Sequence, residues 1–246
     1  MSSGAAVIAV TSLAVEGRIA LGPGVSVLCH HASRLVASLE AAIKPGTLGI
    51  ISFGIAGGLA PHLTAGDWVI ASGVRFGQER PPVDERWARR LLKALPGAVH
   101  AEILGADAPI ATSGHKRQLH DQTGAAAVDM ESHIAARIAA AHKIPFAACR
   151  TIIDDANADL PPAALVGLGP GGRPDLPAVS RSVLRQPGQL PTLARTARDY
   201  WIACHALRTA RQMMGAALGC PYFTEPLQDV LVADDLGTAH LRSAGS

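Results

Sequence analysis

The stretch from Ala126 to Asp155, AAVDMESHIAARIAAAHKIPFAACRTIIDD, leaves this chain few ways to fold. A short apolar strand, Ala125 to Val128, gives way at Asp129, Met130 and Glu131 to a helical run, and a second apolar strand, Phe146 to Ile153, ends at Asp154 and Asp155. Strand, helix and strand in that order argue for an α/β layered domain. In such sheets ligands bind beyond the carboxyl ends of the strands. Acids at two neighbouring strand exits would therefore face one crevice, where one carboxylate can hold hydroxyls and another can move a proton.

The rest of the chain repeats the alternation. Ala5 to Val10, Val25 to Cys29, Leu48 to Phe53 and Trp68 to Ala71 read as strands, with weaker strands at Glu102 to Leu104 and Pro109 to Thr112. Ser33 to Ile43 and Glu85 to Leu95 have helical spacing, the first stopped by Lys44-Pro45-Gly46. Gly167 to Pro177 is rich in glycine and proline and reads as a loop. Leu190 to Leu218 reads as one long helix whose apolar series is interrupted at Arg211. The expected organisation is a single domain over residues 1–218, including that helix, followed by a loose tail over 219–246.

Composition removes several classes. Apolar residues make up 48% of the 246 and charged residues 17%, enough for a substantial core. A net charge of +2 offers no concentrated basic face, so no nucleic acid partner is expected. Cys29, Cys149, Cys204 and Cys220 are scattered, which argues against a metal site or disulfide framework. The first residues lack the basic start of a signal peptide, and no apolar run approaches the ~20 residues that span a bilayer, so a cytoplasmic location is expected. GLGPGG, Gly167 to Gly172, matches a dinucleotide-binding string in form only, because it contains Pro170 and leads into Arg173-Pro174 rather than a helix.

Other residues stand out beside the acids. Gly54, Ala56, Gly57 and Gly58 follow a buried strand, and small residues let backbone N–H groups approach a phosphate or sugar; a tight turn packing strand on helix is the plainer reading. Glu16 follows the first strand, where a lone glutamate is ordinarily a solvated surface residue. The arginines from Arg173 to Arg211 read as a solvated helix face, or as an interfacial helix drawn to anionic lipid.

VDMES, followed by a strand ending in an acid, and FGIAGGLAPHLTAGDWVIA, from Phe53 to Ala71, resemble the purine nucleoside phosphorylase and nucleosidase superfamily. AVTSLAVEGRIALGPG, ISFGIAGGL, AVDMESHIAARIAAAH, LPPAALV and GRPDLPAVSRSVLRQPGQLP are more closely similar to the hopanoid-associated phosphorylases, also described as adenosylhopane nucleosidases. The similarity runs from about Ala9 to about Leu207. It implies a three-layer nucleoside phosphorylase-type α/β fold, with a mixed central β-sheet flanked by helices. It implies cleavage of the N-ribosidic bond of adenosylhopane, releasing adenine. It assigns the activation of water to Glu16, the ribose clamp to Met130 and Glu131, protonation of the purine to Asp154, and an anion or substrate loop to Gly54, Ala56, Gly57 and Gly58. Asp129 replaces a more frequent glutamate, and Asp155 takes the acid's place if the register slips by one.

Two departures bear on the nucleophile. Ile55 stands where relatives carry a phosphate- or ribose-binding serine, and the arginine-bearing G-x-P-x-R loop of phosphate-using relatives is absent. Both favour water over phosphate, which remains open as a co-substrate; no other cofactor is implied. The resemblance further implies a homodimer, an adenosyl-lipid substrate and peripheral contact at the inner membrane face. A nucleosidase for small thioadenosine or homocysteine adducts, and a non-catalytic nucleoside- or lipid-binding module, are the alternatives.

Overall fold

The computed structural model describes residues 6–30, 32–165, 168–169 and 173–224. The alternating pattern becomes a mixed sheet flanked by helices, as expected from the sequence. In chain order the elements begin with β1 (Val7–Thr11), α1 (Ala14–Ala20), β2 (Val25–Cys29), α2 (Ala32–Ala42), β3 (Gly49–Gly58) and β4 (Trp68–Arg75). They continue with α3 (Glu85–Ala94), β5 (Val99–Gly105), α4 (Ser113–Thr123), β6 (Ala127–Asp129), α5 (Ser132–Ala141) and β7 (Phe146–Asp154). The chain then forms α6 (Pro162–Leu165), a two-strand pair β8 (Leu168–Gly169) and β9 (Arg173–Pro174), α7 (Leu176–Arg185) and α8 (Leu190–Met214).

The sheet runs β2-β1-β3-β6-β5-β4-β7, and β3 also pairs with β7, so the sheet curls until it closes on itself. β3 makes this closure. Its first half runs parallel to β1 on one edge, its last two residues pair antiparallel with β6, and Ile50 to Gly57 pair parallel with β7, with a register shift between Ala56 and Gly57. A strand enclosed on both edges and both faces must be apolar or small throughout. GIISFGIAGG satisfies this, with Ile50, Ile51 and Phe53 fully buried.

Three expectations are corrected here. Gly54, Ala56, Gly57 and Gly58 do not form a loop: they are the second half of β3, held in the ladder with β7 and β6. Pro109 to Thr112 is not a strand; Thr112 instead caps α4, its hydroxyl accepting from the His115 N–H at 3.3 Å. Helix α7 begins inside the expected glycine-proline loop, started by the Asp175 side chain, which accepts from the Ala178 N–H at 2.9 Å. Most of GLGPGG lies outside the described residues.

Residues just past Leu218 pack on the sheet's helical layer. Cys220 is buried, Tyr222 donates its hydroxyl to Asp84 at 2.7 Å, and Phe223 packs against the same core as Trp87 and Leu91. The expected tail from residue 225 onward lies outside the described residues. Among the described residues no helix is long and apolar enough to cross a membrane.

Candidate active site

The closure of β3 on β6 and β7 brings the chemistry-bearing residues together. β6 ends at Asp129, β7 at Asp154, and α1 starts just after β1, so the acids arrive from three strand exits. At their centre lies a residue that the sequence reading missed. Arg150 on β7 is fully buried. Its Nε is 2.6 Å from Asp129 Oδ2, and its Nη2 is 3.5 Å from Glu131 Oε2 and donates to Ser52 Oγ at 2.5 Å. A fourth contact runs from Nη1 to the Ile55 carbonyl at 3.3 Å. Burial works against the guanidinium charge, yet Asp129, Glu131 and Glu16 around it more than offset this and hold its pKa above the ordinary value. The signal was present in the sequence: Arg150 is the one charged residue between Phe146 and Ile153, and a charge inside a buried strand has to be paired.

Asp129 is structural. Its Oδ1 accepts from the Ser132 N–H at 2.9 Å and the Glu131 N–H at 3.2 Å, capping the start of α5, and its Oδ2 accepts from the Ser132 hydroxyl. With Arg150 on the same carboxylate, the turn carrying Met130 and Glu131 is fixed to β7. Glu131 is 2% exposed, and its Oε1 has no hydrogen-bond partner among the described residues. Burial raises its pKa to about 8, against the pull of Arg150 and with help from Asp129 and Glu16. A buried, unpartnered carboxyl oxygen at a cavity is an acceptor awaiting a donor.

The same pKa sets a stability dependence. Glu131 in the folded protein keeps its proton up to about pH 8, whereas in the unfolded chain it loses it near 4.5. The unfolded state therefore releases protons first, and stability falls as pH rises between those values. Glu131→Gln has no such group, so its stability relative to wild type should improve as pH rises through that window. Denaturant unfolding at a series of pH values checks this; a constant difference between the two proteins would refute it.

Glu16 is the third residue of α1 and reaches back over the helix start. Its Oε2 accepts from the N–H groups of Leu13 at 2.8 Å and Ser12 at 2.9 Å and from the Ser12 hydroxyl at 3.2 Å, and its Oε1 accepts from the Ile55 N–H at 2.8 Å. Gly54 makes room for it: a Cβ there would lie 2.6 Å from Glu16 Oε1 and 2.8 Å from Arg150 Nη1. Gly57 does the same for β6 and β7, since its Cβ would lie 3.3 Å from Val128 and 3.5 Å from Asp154 Oδ1. The glycines of β3 let side chains converge from inside a ladder.

Asp154 is 8% exposed and pairs with Lys116, itself fully buried on α4. The ammonium also donates to the carbonyls of Asp155 and Ala158, both at 2.9 Å, so all three of its hydrogens have acceptors. Burial raises the Asp154 pKa, with Lys116 pulling the other way. Asp155 points elsewhere: it pairs with Arg195 at 2.5 Å and accepts from the Asn157 N–H at 2.8 Å. Lys116 was also missed. Helix α4, SGHKRQLHDQT, has Leu119 as its one aliphatic side chain, too little of an apolar face to say which of its cations turns inward.

These groups border a pocket of about 420 Å³. Ser12, Ile55, Ala56, Gly57, Met130, Glu131 and Asp154 line its inner end. Glu16 lies behind the wall made by Ser12, Leu13 and Ile55, and Gly54 and Gly58 are outside the lining. The outer end is apolar, with Ile110, Leu165, Val179, Leu193 and Trp201 among its walls. Leu165 is 43% exposed and Trp201 69%, which puts both at the rim. On α8, Leu193 borders this pocket, whereas Leu207 and Met214 are buried in the core with Trp87 and Leu91. The first turns of α8 cover the pocket, and the later ones pack on the sheet.

A family model described as the phosphorylase superfamily matches residues 7–165. No curated protein matches the chain. Among solved structures it is similar to the 5'-methylthioadenosine/S-adenosylhomocysteine nucleosidase of Helicobacter pylori, with 12% identity, TM-score 0.63, and 89% of this chain and 99% of that one covered. The futalosine hydrolase of H. pylori strain 26695 is similar at 12% identity and TM-score 0.60, covering 87% and 98%. The 5'-methylthioadenosine/S-adenosylhomocysteine nucleosidase of S. pneumoniae gives 14%, 0.61, 87% and 98%. At such identities the likeness concerns the fold.

Proposed function

The chain belongs to the phosphorylase superfamily, and from that premise we propose that it hydrolyses the N-ribosidic bond of a purine nucleoside bearing an apolar group, releasing adenine. The observation that carries this reading is one pocket with Asp154, Glu131 and Met130 at its inner end and aliphatic and aromatic side chains at its outer end. The solved neighbours act in their own right on nucleosides with a substituted ribose or on futalosine. The apolar outer end suits a lipid substituent, and the sequence resemblance names adenosylhopane.

Bond cleavage builds positive charge on the ribose and negative charge on the purine. Asp154, whose pKa burial raises, would give its proton to N7, so that adenine leaves as a neutral base. The nearby Lys116 ammonium would then stabilise the carboxylate that remains. Glu131 Oε1 would accept a ribose hydroxyl, and a bound donor favours its ionised form, which offsets oxocarbenium charge. Ser12 lines the pocket and donates toward Glu16, giving a route by which a proton from the attacking water reaches Glu16. This resembles the second carboxylate's role in inverting glycosidases. Water is favoured over phosphate because Ile55 offers no side-chain donor and its N–H is taken by Glu16.

The test is adenine release from adenosylhopane in detergent, with and without phosphate, beside a soluble thioadenosine nucleoside. Release from the lipid without phosphate supports the proposal. Preference for the soluble nucleoside moves the substrate to the small adducts, and release from neither favours a binding module. Leu193→Ser sharpens the test. Losing an aliphatic contact of this size is worth about 1.5–3 kcal/mol, so kcat/KM for the lipid should fall about 10- to 100-fold. Turnover of the small nucleoside should be nearly unchanged, and equal losses on both substrates would count against a tail in this part of the pocket. A cytoplasmic location, peripheral contact at the inner membrane face and a homodimer belong to the same proposal. Exposed Trp201 and Leu165 at the rim support the membrane contact.

A further inference from the structure

Helix α1 carries a second charged residue with a different setting. Glu16 is turned into the protein, whereas Arg18 is exposed and faces Arg208 and Arg211 of α8 across a shallow pocket of about 560 Å³, lined also by Val15, Ile19 and Gln212. This pocket shares no lining residue with the one holding Asp154 and Glu131. Arg208 and Arg211 are three positions apart on one helix and so are neighbours on its surface. Arg211 interrupts the apolar series of α8, and its position accounts for the interruption.

The Arg211 guanidinium is held in place. Its Nε donates to the Ala20 carbonyl at 3.0 Å and its Nη1 to the Gly215 carbonyl at 2.7 Å. Gly22 yields it space, since a Cβ there would collide with Nη2. Burial pulls the Arg211 pKa below its ordinary value. Among the described residues no carboxylate lies within ion-pair distance of Arg18, Arg208 or Arg211, although Arg195 and Arg198 on the same helix both pair with Asp199. Three guanidinium groups side by side repel one another, and a half-buried one lacks part of its hydration. The arrangement gains stability when an anion with several acceptor oxygens enters it.

We propose that Arg18, Arg208 and Arg211 form a binding site for the phosphate group of an anionic ligand, separate from the bond-cleaving pocket. The planar forks of the arginines match a phosphate's oxygens in pairs. Leu21, 58% exposed, directly follows the carbonyl that holds Arg211, so an apolar side chain borders the cations as it would at a lipid headgroup. A phosphate bound here meets the outer side of α1, with Glu16 on the inner side, and so cannot attack the ribose. Binding phosphate and using it as a nucleophile are thereby separated, and this site stands whether or not the cleavage reading does.

The experiment titrates the full chain with inorganic phosphate by calorimetry and, separately, with sedimenting vesicles of phosphatidylcholine alone or mixed with phosphatidylglycerol. Arg18→Gln and Arg208→Gln are the informative variants because both residues are exposed and the fold should survive. Arg198→Gln, from a paired arginine on the same helix, is the control. Wild type and the control should bind phosphate, and each informative variant should weaken binding about tenfold. If the variants also release anionic vesicles, a lipid headgroup is the source; if vesicle binding is absent in every protein, it is a free phosphate. The proposal is overturned if wild type binds neither phosphate nor anionic vesicles, or if the variants bind as wild type does. Adenine release assayed in parallel keeps the two readings apart: its absence in a wild-type protein that binds phosphate would remove the cleavage reaction and leave this site.

Discussion

Arg150→Met is expected to lower stability by about 3–5 kcal/mol, because it leaves the buried Asp129 carboxylate without its cation and Ser52 and Glu131 without its hydrogen bonds and charge. For a domain of this size that corresponds to a fall in Tm of about 6–20 °C. The loss should deepen as pH rises past about 8, since without Arg150 burial alone acts on Glu131 and the folded state holds its proton to higher pH than wild type does. Arg150→Lys keeps the charge but not the fork that reaches Asp129, Ser52 and Ile55 together, and should fall between the two. Any soluble Arg150→Met protein should also lose adenine release, because Arg150 fixes the turn that presents Glu131. A Tm within a degree or two of wild type would show that the acids do not depend on it.

Asp154→Asn is expected to have the largest effect on turnover. Removing a proton donor of this kind costs about 10²- to 10⁴-fold, and the amide is close enough in shape to leave the fold intact. Lys116→Met separates the acid's presence from its tuning. Without the ammonium, the buried Asp154 carboxyl holds its proton more tightly, so activity should persist while the basic limb of the pH–rate profile moves to higher pH. Asp155→Asn should leave turnover near wild type, because Asp155 is engaged with Arg195 and is not part of the pocket lining. Near-normal adenine release from Asp154→Asn would remove the acid assignment.

The two cations that govern these predictions differ in how readable they were. Arg150 could be read, since it stands alone in an apolar strand and the acids it needs are named by VDMES. Lys116 could not. Its neighbours His115 and Arg117 are exposed, and only the packing of α4 against the segment after β7 decides that Lys116 is the one turned inward. The same holds for α7, which starts within a run whose glycines and prolines suggest a loop until Asp175 caps it.

Local pattern therefore carried the alternation of strands and helices, the acids at the strand exits and the long last helix, because period and punctuation are properties of neighbours in sequence. It did not carry the extension of β3 through Gly54, Ala56, Gly57 and Gly58. A glycine-rich segment after an apolar strand reads as a turn unless partners on both edges hold it extended, and those partners, β6 and β7, lie about 70 to 100 residues further along the chain. Nor did it carry the division of α8 into a part that covers the pocket and a part that packs on the sheet, for both are apolar at the same spacing. Which face meets which cavity follows from the closure of the sheet on β3, a long-range pairing that no short window of sequence contains.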